Sequence, residues 1–242
     1  MKKFSLLFCL FFIAASTQAI AQKQQGNGNI TTQERSISSY EGLNVSGSFN
    51  VEMISSMNGK LSITTDKNLL ESIVTEVKDD VLIIRNKKKH YLRPSGAKKV
   101  IIKVPMADVN NVKLSGSGKI YADSAIAADS FKASSAGSGK IELSIKAETV
   151  SARLAGSGKI NLKGSATNIK VKHAGSGSVR LQGIQAKNGA VSLAGSGSVY
   201  VRCSHKLDVS VAGSGSVRYF GEPKDKLHSK VAGSGSVRLA IE

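Results

Sequence analysis

The chain has 242 residues, with 34 Lys or Arg against 17 Asp or Glu, and its formal net charge of +17 favours anionic partners over basic or neutral ones. It contains no Trp and only 5% aromatic residues, so the stacking platforms that sugar and single-strand binding use are scarce. Its two cysteines, Cys9 and Cys203, are too few for a disulfide-stapled scaffold.

Residues 1–21 read as a cleavable signal peptide. Lys2 and Lys3 precede an apolar run from Phe4 to Ala15, and Ala19-Ile20-Ala21 supplies the small-x-small cleavage pattern, which puts the mature N-terminus at Gln22. The run is shorter than the about 20 residues that a membrane span needs, and no later stretch approaches that length. Cys9 lies inside the signal, and Leu6-Leu7-Phe8 before it lacks the small residue of a lipoprotein site. The mature chain, with a net charge of +15 once Lys2 and Lys3 are gone, is expected to be soluble and exported, to the periplasm or the outer cell surface.

Residues 22–35 read as a flexible linker, because Gln22 to Gln33 is rich in Gln, Gly and Asn. Residues 36–108 form an irregular β-rich N-terminal part. Strands are expected at Leu61 to Thr65, Val74 to Val77, Val81 to Arg85 and Val100 to Val104, with one helical turn from Asn68 to Ser72 capped by Asn68. From Arg85 to Lys103 there are eight Lys or Arg residues and no acid. The centre of that segment, Lys87 to Gly96, reads as a loop, and Lys87, Lys88, Lys89 and Arg93 are its candidate anion-binding residues. The plainer reading is a solvated charge run that repels unwanted edge pairing.

Residues 109–242 are a Gly-Ser-Gly repeat continuous with that part. The first glycines are Gly116, Gly137, Gly156, Gly175, Gly195, Gly213 and Gly233, spaced by 21, 19, 19, 20, 18 and 20 residues. A period near 20 predicts a solenoid in which each coil buries its apolar face against its neighbours. Four residues after each first glycine stands Ile or Val, from Ile120 to Val237, and two residues before it stands mostly Leu or Val, from Leu114 to Val231. These share one strand parity and point inward, while Arg180, Arg218 and Arg238 point outward. The glycines fall on the inward parity, which implies a corner or a close backbone approach. The outward serines, Ser117, Ser138, Ser157, Ser176, Ser196, Ser214 and Ser234, should stack into a ladder. With the outward Lys119, Lys140, Lys159, Arg180, Arg218 and Arg238 they form the candidate recognition face. Val45, Gly47, Val51 and Met53 fit the same template, with Phe49 in place of the second glycine, as a degenerate early rung.

The export signal, Leu69-Leu70-Glu71 with Thr75 to Leu82 (Thr-Glu-Val-Lys-Asp-Asp-Val-Leu), and the tandem Ser-Gly-Ser-Gly or Ala-Gly-Ser-Gly rungs resemble the auto-transporter adhesin head (GIN) domain family of Bacteroidetes-type bacteria. The resemblance runs from about Ile37 to the end of the chain. It implies an all-β, right-handed parallel β-helix-like solenoid and a surface or periplasmic role, and it carries over no catalytic residues.

Other motifs fail on inspection. Gly-Ser-Gly-Lys at 116–119, 137–140 and 156–159 looks like the end of a phosphate-binding loop. It has Lys113, Ser134 and Arg153 where the first glycine belongs, and Ile120, Ile141 and Ile160 where Ser or Thr belongs. No Asp follows the glycines as a calcium-binding β-roll requires. After Val150 the acids are only Asp208, Glu222, Asp225 and Glu242, few for a polysaccharide lyase or glycosidase. Cys203 and His205 could start a zinc site only if His173 or His228 joined them, and Cys203 reads more simply as a buried small hydrophobe.

The sequence therefore predicts a non-enzymatic envelope or surface protein, an adhesin-like binding or assembly module, with no cofactor or metal. The alternatives are a β-helical carbohydrate-active enzyme and a purely structural envelope accessory protein without external ligand. Anionic envelope glycans or lipopolysaccharide are the expected partners, and no motif for specific nucleic-acid binding is present. Self-association is expected through residues 229–242, where no cap follows the last rung.

Overall fold

The computed structural model describes residues 22–55, 59–88, 90–96, 99–106, 108–223 and 226–241. The signal peptide, Lys89 and Glu242 lie outside them. In chain order the strands are β1 (Gln22–Gln25), β2 (Ile30–Ser36), β3 (Gly42–Ser46), β4 (Asn50–Ile54), β5 (Lys60–Asp66), β6 (Ile73–Lys78), β7 (Val81–Asn86), β8 (His90–Arg93) and β9 (Ile101–Pro105). They continue as β10 (Asn111–Gly116), β11 (Lys119–Gly137), β12 (Lys140–Gly156), β13 (Lys159–Ala174), β14 (Ser178–Ala194), β15 (Ser198–Ala212), β16 (Ser216–Phe220), β17 (Lys226–Ala232) and β18 (Ser236–Leu239). A 3-10 turn spans Lys67–Ser72. The molecule is an all-β solenoid of about six turns.

Each of β11 to β15 is a whole coil running from one Gly-Ser-Gly corner to the next. Neighbouring coils pair in parallel with like residues in register, so Ile120, Ile141, Ile160, Val179, Val199, Val217 and Val237 form one column along the axis. A second column, from Leu114 through Ser135, Leu154, His173, Leu193 and Val211 to Val231, faces it from the strand half before the corner. Within one coil, Ile141, Leu143 and Ile145 are buried on one side and Val150, Ala152 and Leu154 on the other. The odd step from Ile145 to Val150 marks a second corner, where the alternation resets. Each fully buried aliphatic side chain contributes about 1.5–3 kcal/mol.

The glycines hold the first corner. The first glycine of each motif has φ between +110° and +122°, a region that side-chain-bearing residues rarely adopt. The second glycine is packed on the coil beneath. A Cβ on Gly158 would stand 2.5 Å from the Gly139 carbonyl oxygen, so the backbones approach as only glycine permits.

Differences in repeat length are absorbed after the glycine corner, on the way into the second one. β12 and β13 follow equal 19-residue spacings and pair without a register shift. β11 spans the 21-residue spacing and loses two residues against β12 between Tyr121 and Ala125, while β13 against β14 shifts by one between Asn161 and Lys163. Bulges of this kind let unequal coils stack while the glycine corners stay aligned.

At the N-terminal end the pattern breaks. β3 and β4 form the degenerate rung, stacked on β10 and β11 above and on β7 and β9 below. Below its corner the chain leaves β7 for β8, so no glycine corner lies beneath Phe49, and its buried ring takes the space. β2, β5 and β6 then close the end with antiparallel pairing: β2 on β5, β5 on β9, and β6 on β7. The β6–β7 hairpin turns on Asp79 and Asp80, both with positive φ, which accounts for the Asp-Asp in the sequence motif.

Two sequence expectations are corrected here. Gln22 to Gln33 is no free tether, because β1 pairs with β8 and β2 with β5. The anchor is buried Asp66, whose carboxylate accepts hydrogen bonds from the Gly28 amide at 2.7 Å and the Ser95 amide at 2.9 Å. Asn68 is not a helix cap, since Asp66 holds that position and makes no side-chain cap bond. The Asn68 side chain instead donates to the Gln25 carbonyl at 2.8 Å and accepts from the Asn27 amide at 3.1 Å, tying β1 to the body.

Candidate functional site

The seven motif serines, Ser117, Ser138, Ser157, Ser176, Ser196, Ser214 and Ser234, are all exposed at the glycine corner, one per coil. Their backbones are locked to the coil beneath: the Ser138 amide donates to the Gly116 carbonyl at 3.1 Å, and the Ser157 amide to that of Gly137 at 3.0 Å. The hydroxyls therefore line up along the axis at about 4.8 Å per step.

The face after the corner carries two outward columns. One runs Lys119, Lys140, Lys159, Ser178, Ser198, Ser216, Ser236 and the next Tyr121, Glu142, Asn161, Arg180, Tyr200, Arg218, Arg238. Part of its charge is answered from within. Glu142 receives Lys119 at 2.6 Å and Lys140 at 2.5 Å. Burial pushes the Glu142 carboxyl up, but the hydrogen bonds and charges of the two lysines outweigh it and hold it below the usual carboxylate range. Arg180 and Arg218 lie 5.2 and 5.5 Å from the Tyr200 ring centre, and Arg218 also donates to the Tyr200 hydroxyl at 2.8 Å. Arg238 is exposed on the last rung.

The basic segment is only partly a loop. His90–Arg93, expected inside it, forms β8, because β1, expected to be a flexible linker, arrives as its parallel partner. Lys87, Lys88 and Arg93 are exposed. The serine line and this segment meet at one place: Ser48 and Ser117 share a cleft of about 550 Å³ with Phe49, Tyr91, Pro94 and Lys99. Neither Lys87, Lys88 nor Arg93 lines it.

The residues considered for zinc are kept apart. Cys203 is buried and free, filling space beside Gly189, where a Cβ would come within 2.5 Å of its sulfur. Burial pushes its thiol up to about 12. His173 is buried in the Leu154–Leu193 column, and burial lowers its pKa, whereas His205 and His228 are exposed. Among the described residues no group of three or more His, Cys, Asp or Glu is placed to hold a metal ion. Glu41, Asp108 and Asp129 line a depression together with Lys132.

Sequence reasoning passed over the face before the corner. Three residues ahead of each first glycine stand Lys113, Ser134, Arg153, Lys172, Ser192, Ser210 and Lys230, and five ahead Asn111, Lys132, Ser151, Lys170, Ala190, Asp208 and His228. Both sets are outward columns in register. Their signal in the sequence is the outward parity that they share with Lys119 and Arg180.

Residues 39–223 match the family described as "Putative auto-transporter adhesin, head GIN domain". The chain belongs to this family. A solved structure of a "putative lipid binding protein" from Parabacteroides distasonis is 28% identical, with a TM-score of 0.76 over 91% of this chain and 100% of that one. A "putative adhesin" from Bacteroides fragilis gives 22% identity and a TM-score of 0.82 over 90% and 100%, and one from Parabacteroides merdae gives 21% and 0.76 over 91% and 100%. These last two share the fold. No curated protein matches the chain. The family name points to a surface or exported protein, and no helix among the described residues is long and apolar enough to cross a membrane.

Proposed function

We propose that this GIN-domain protein is exported to the cell surface and acts there as a non-enzymatic, adhesin-like binding module. The observation that carries this reading is the solenoid itself. Its coils repeat exposed side chains along the axis, in a serine line at the corner and cationic columns beside it, and this is the geometry of a surface that meets an extended partner rather than one that encloses a substrate. Anionic envelope glycans or lipopolysaccharide fit the net charge, and the cleft at Ser117 and Lys99 is where the serine line could meet such a partner. Protease digestion of intact cells tests the placement: loss of the protein without lysis supports it, and full protection overturns it. Turnover of acidic polysaccharide by the purified protein would establish the enzyme reading instead.

The same reading includes self-association. The outer edges of β17 and β18 have no partner strand among the described residues, and Val231, Leu239 and Ile241 are exposed there at 44, 55 and 93%. An unpaired edge with apolar side chains is a template for another copy of itself.

A further inference from the structure

The two flat faces of the solenoid treat their positive charge differently. After the corner, Lys119 and Lys140 are register partners, and Glu142 reaches both. Before the corner, Arg153 and Lys172 are register partners on β12 and β13, and among the described residues no acid reaches either. Like charges placed opposite each other on adjacent strands, about 4.8 Å apart, destabilise a sheet. Lys170 adds a third cation two residues from Lys172 on the same side, and Lys113 a fourth on β10. The first acid in these columns is Asp208 on β15, which is already paired with Lys206 at 3.0 Å. The acidic depression at Glu41, Asp108 and Asp129 touches only Lys132, at the margin of the face. An uncompensated cationic row that the fold tolerates suits a partner that supplies the missing negative charge.

The surface between these cations and the glycine corner has a shape of its own. Its outward column reads Ala136, Ala155, Ala174, Ala194, and these short side chains leave a trough of about 410 Å³ flanked by Lys113, Arg153 and Lys172. Its lining residues come from β10 to β14, so the trough runs along the axis and suits an extended polymer strand. No Phe, Tyr or Trp lines it, and the His173 ring in its lining is buried, so bases or sugar faces are not held by stacking on an exposed ring. No large apolar side chain projects from it, so it has nothing to insert into a bilayer.

We propose that this trough binds a linear acidic polysaccharide lying along the solenoid axis, its carboxylate or sulfate groups met by Lys113, Arg153 and Lys172. This rests on the surface-binding reading above and gives it a ligand class and a face. The face differs from both the serine line and the basic segment.

The test uses the mature protein, Gln22 to Glu242, with polygalacturonate and heparin as probes at about 0.15 M salt, where distant charges are screened. The triple variant Lys113→Glu, Arg153→Glu, Lys172→Glu is compared with Lys146→Glu, Lys163→Glu, Lys187→Glu, which makes the same change in net charge at exposed positions away from the trough and from the other candidate surfaces. The trough variant should bind about tenfold more weakly or worse, and the control should stay within about twofold. Circular dichroism confirms that both are folded. Equal losses would show that diffuse charge alone attracts the polymer and would overturn the proposal. So would retention by phosphatidylglycerol vesicles or duplex DNA with no retention of either polysaccharide, or no binding by the unmodified protein. Protease digestion of intact cells reads surface placement independently, so failure here leaves that part of the functional reading standing.

Discussion

The N-terminal end and the repeat stack bury the same kind of apolar column but secure it by different means. In residues 22–105 specific polar side chains grip the backbone. Asp66 holds the Gly28 and Ser95 amides, Arg35 donates to the carbonyls of Leu70 and Ile73 at 2.9 and 2.7 Å, and the buried Tyr40 hydroxyl donates to the Pro105 carbonyl. From β11 to β18 such contacts thin out, and the coils are held by parallel register, glycine corners and columns of Ile, Val and Leu. The difference teaches that repetition substitutes for specific clasps. A coil stacked on an identical coil is satisfied by its neighbour, whereas the N-terminal end of the stack is closed by side chains placed for that purpose.

The largest effect expected is at a corner of the stack. Gly177→Val would drive a branched side chain into the Gly158 carbonyl oxygen, 2.4 Å from the Cβ position, and should destabilise the protein by about 3 kcal/mol or more. Ser176→Ala, one residue away and exposed, should change stability by less than about 0.5 kcal/mol. Thermal unfolding of the two variants checks the assignment, and equal melting temperatures would show the faces reversed.

Next comes the end cap. Asp66→Ala orphans two backbone amides and should lose about 1–3 kcal/mol locally, so that trypsin cuts first within residues 22–36 while the repeat stack persists. Burial raises the Asp66 carboxyl, but the hydrogen bonds from Ser95 and Gly28 outweigh it and hold the group below its usual value. The sign follows from that depression. The clasp contributes in full above the unfolded carboxylate value near 3.9 and is lost as pH falls through the lower folded value. Cap opening followed by hydrogen exchange should therefore rise at acid pH in the unmodified protein and be flat with pH in the variant.

The open end gives a smaller, concentration-dependent effect. The Ser236 amide donates to the Gly215 carbonyl and that of Ala240 to Tyr219, so by alternation the Val237 amide points to the free edge. Val237→Pro removes that outward donor and should lower self-association seen by light scattering. A monomer at high concentration in the unmodified protein would remove the idea. Smallest of all, Glu142→Gln should change stability by under about 1 kcal/mol, because the lysines it binds are partly exposed, yet it should leave Lys119 and Lys140 uncompensated. If Glu142 is what distinguishes the two faces, this variant should gain retention on heparin.

Much of this architecture was legible in one dimension. The spacing of Gly116 to Gly233 predicted stacked coils, and the inward parity named the Ile120 to Val237 column. Phe49 in a glycine slot marked the first rung before its reason was visible. The candidate surfaces were less legible. The serine line was readable because it sits inside the motif, but the unanswered charge of Arg153 beside Lys172 was not, since they are 19 residues apart and meet only when the coils are in register.

By itself the sequence determined the local and periodic features: strand alternation, a corner that only glycine can turn, and a core that repeats because its residues repeat. These follow from steric limits on one residue and from period-two geometry, which need no knowledge of distant contacts. Only the tertiary structure decided how the stack is closed and which charges are left over. β1 and β2 are poor in apolar residues and become strands because β8 and β5 offer edges to them, with Asp66 as the anchor. Glu142 quiets Lys119 and Lys140 while no acid among the described residues reaches Arg153 or Lys172, because neutralisation depends on which side chains the register sets within a few ångströms, where Coulomb attraction is strong.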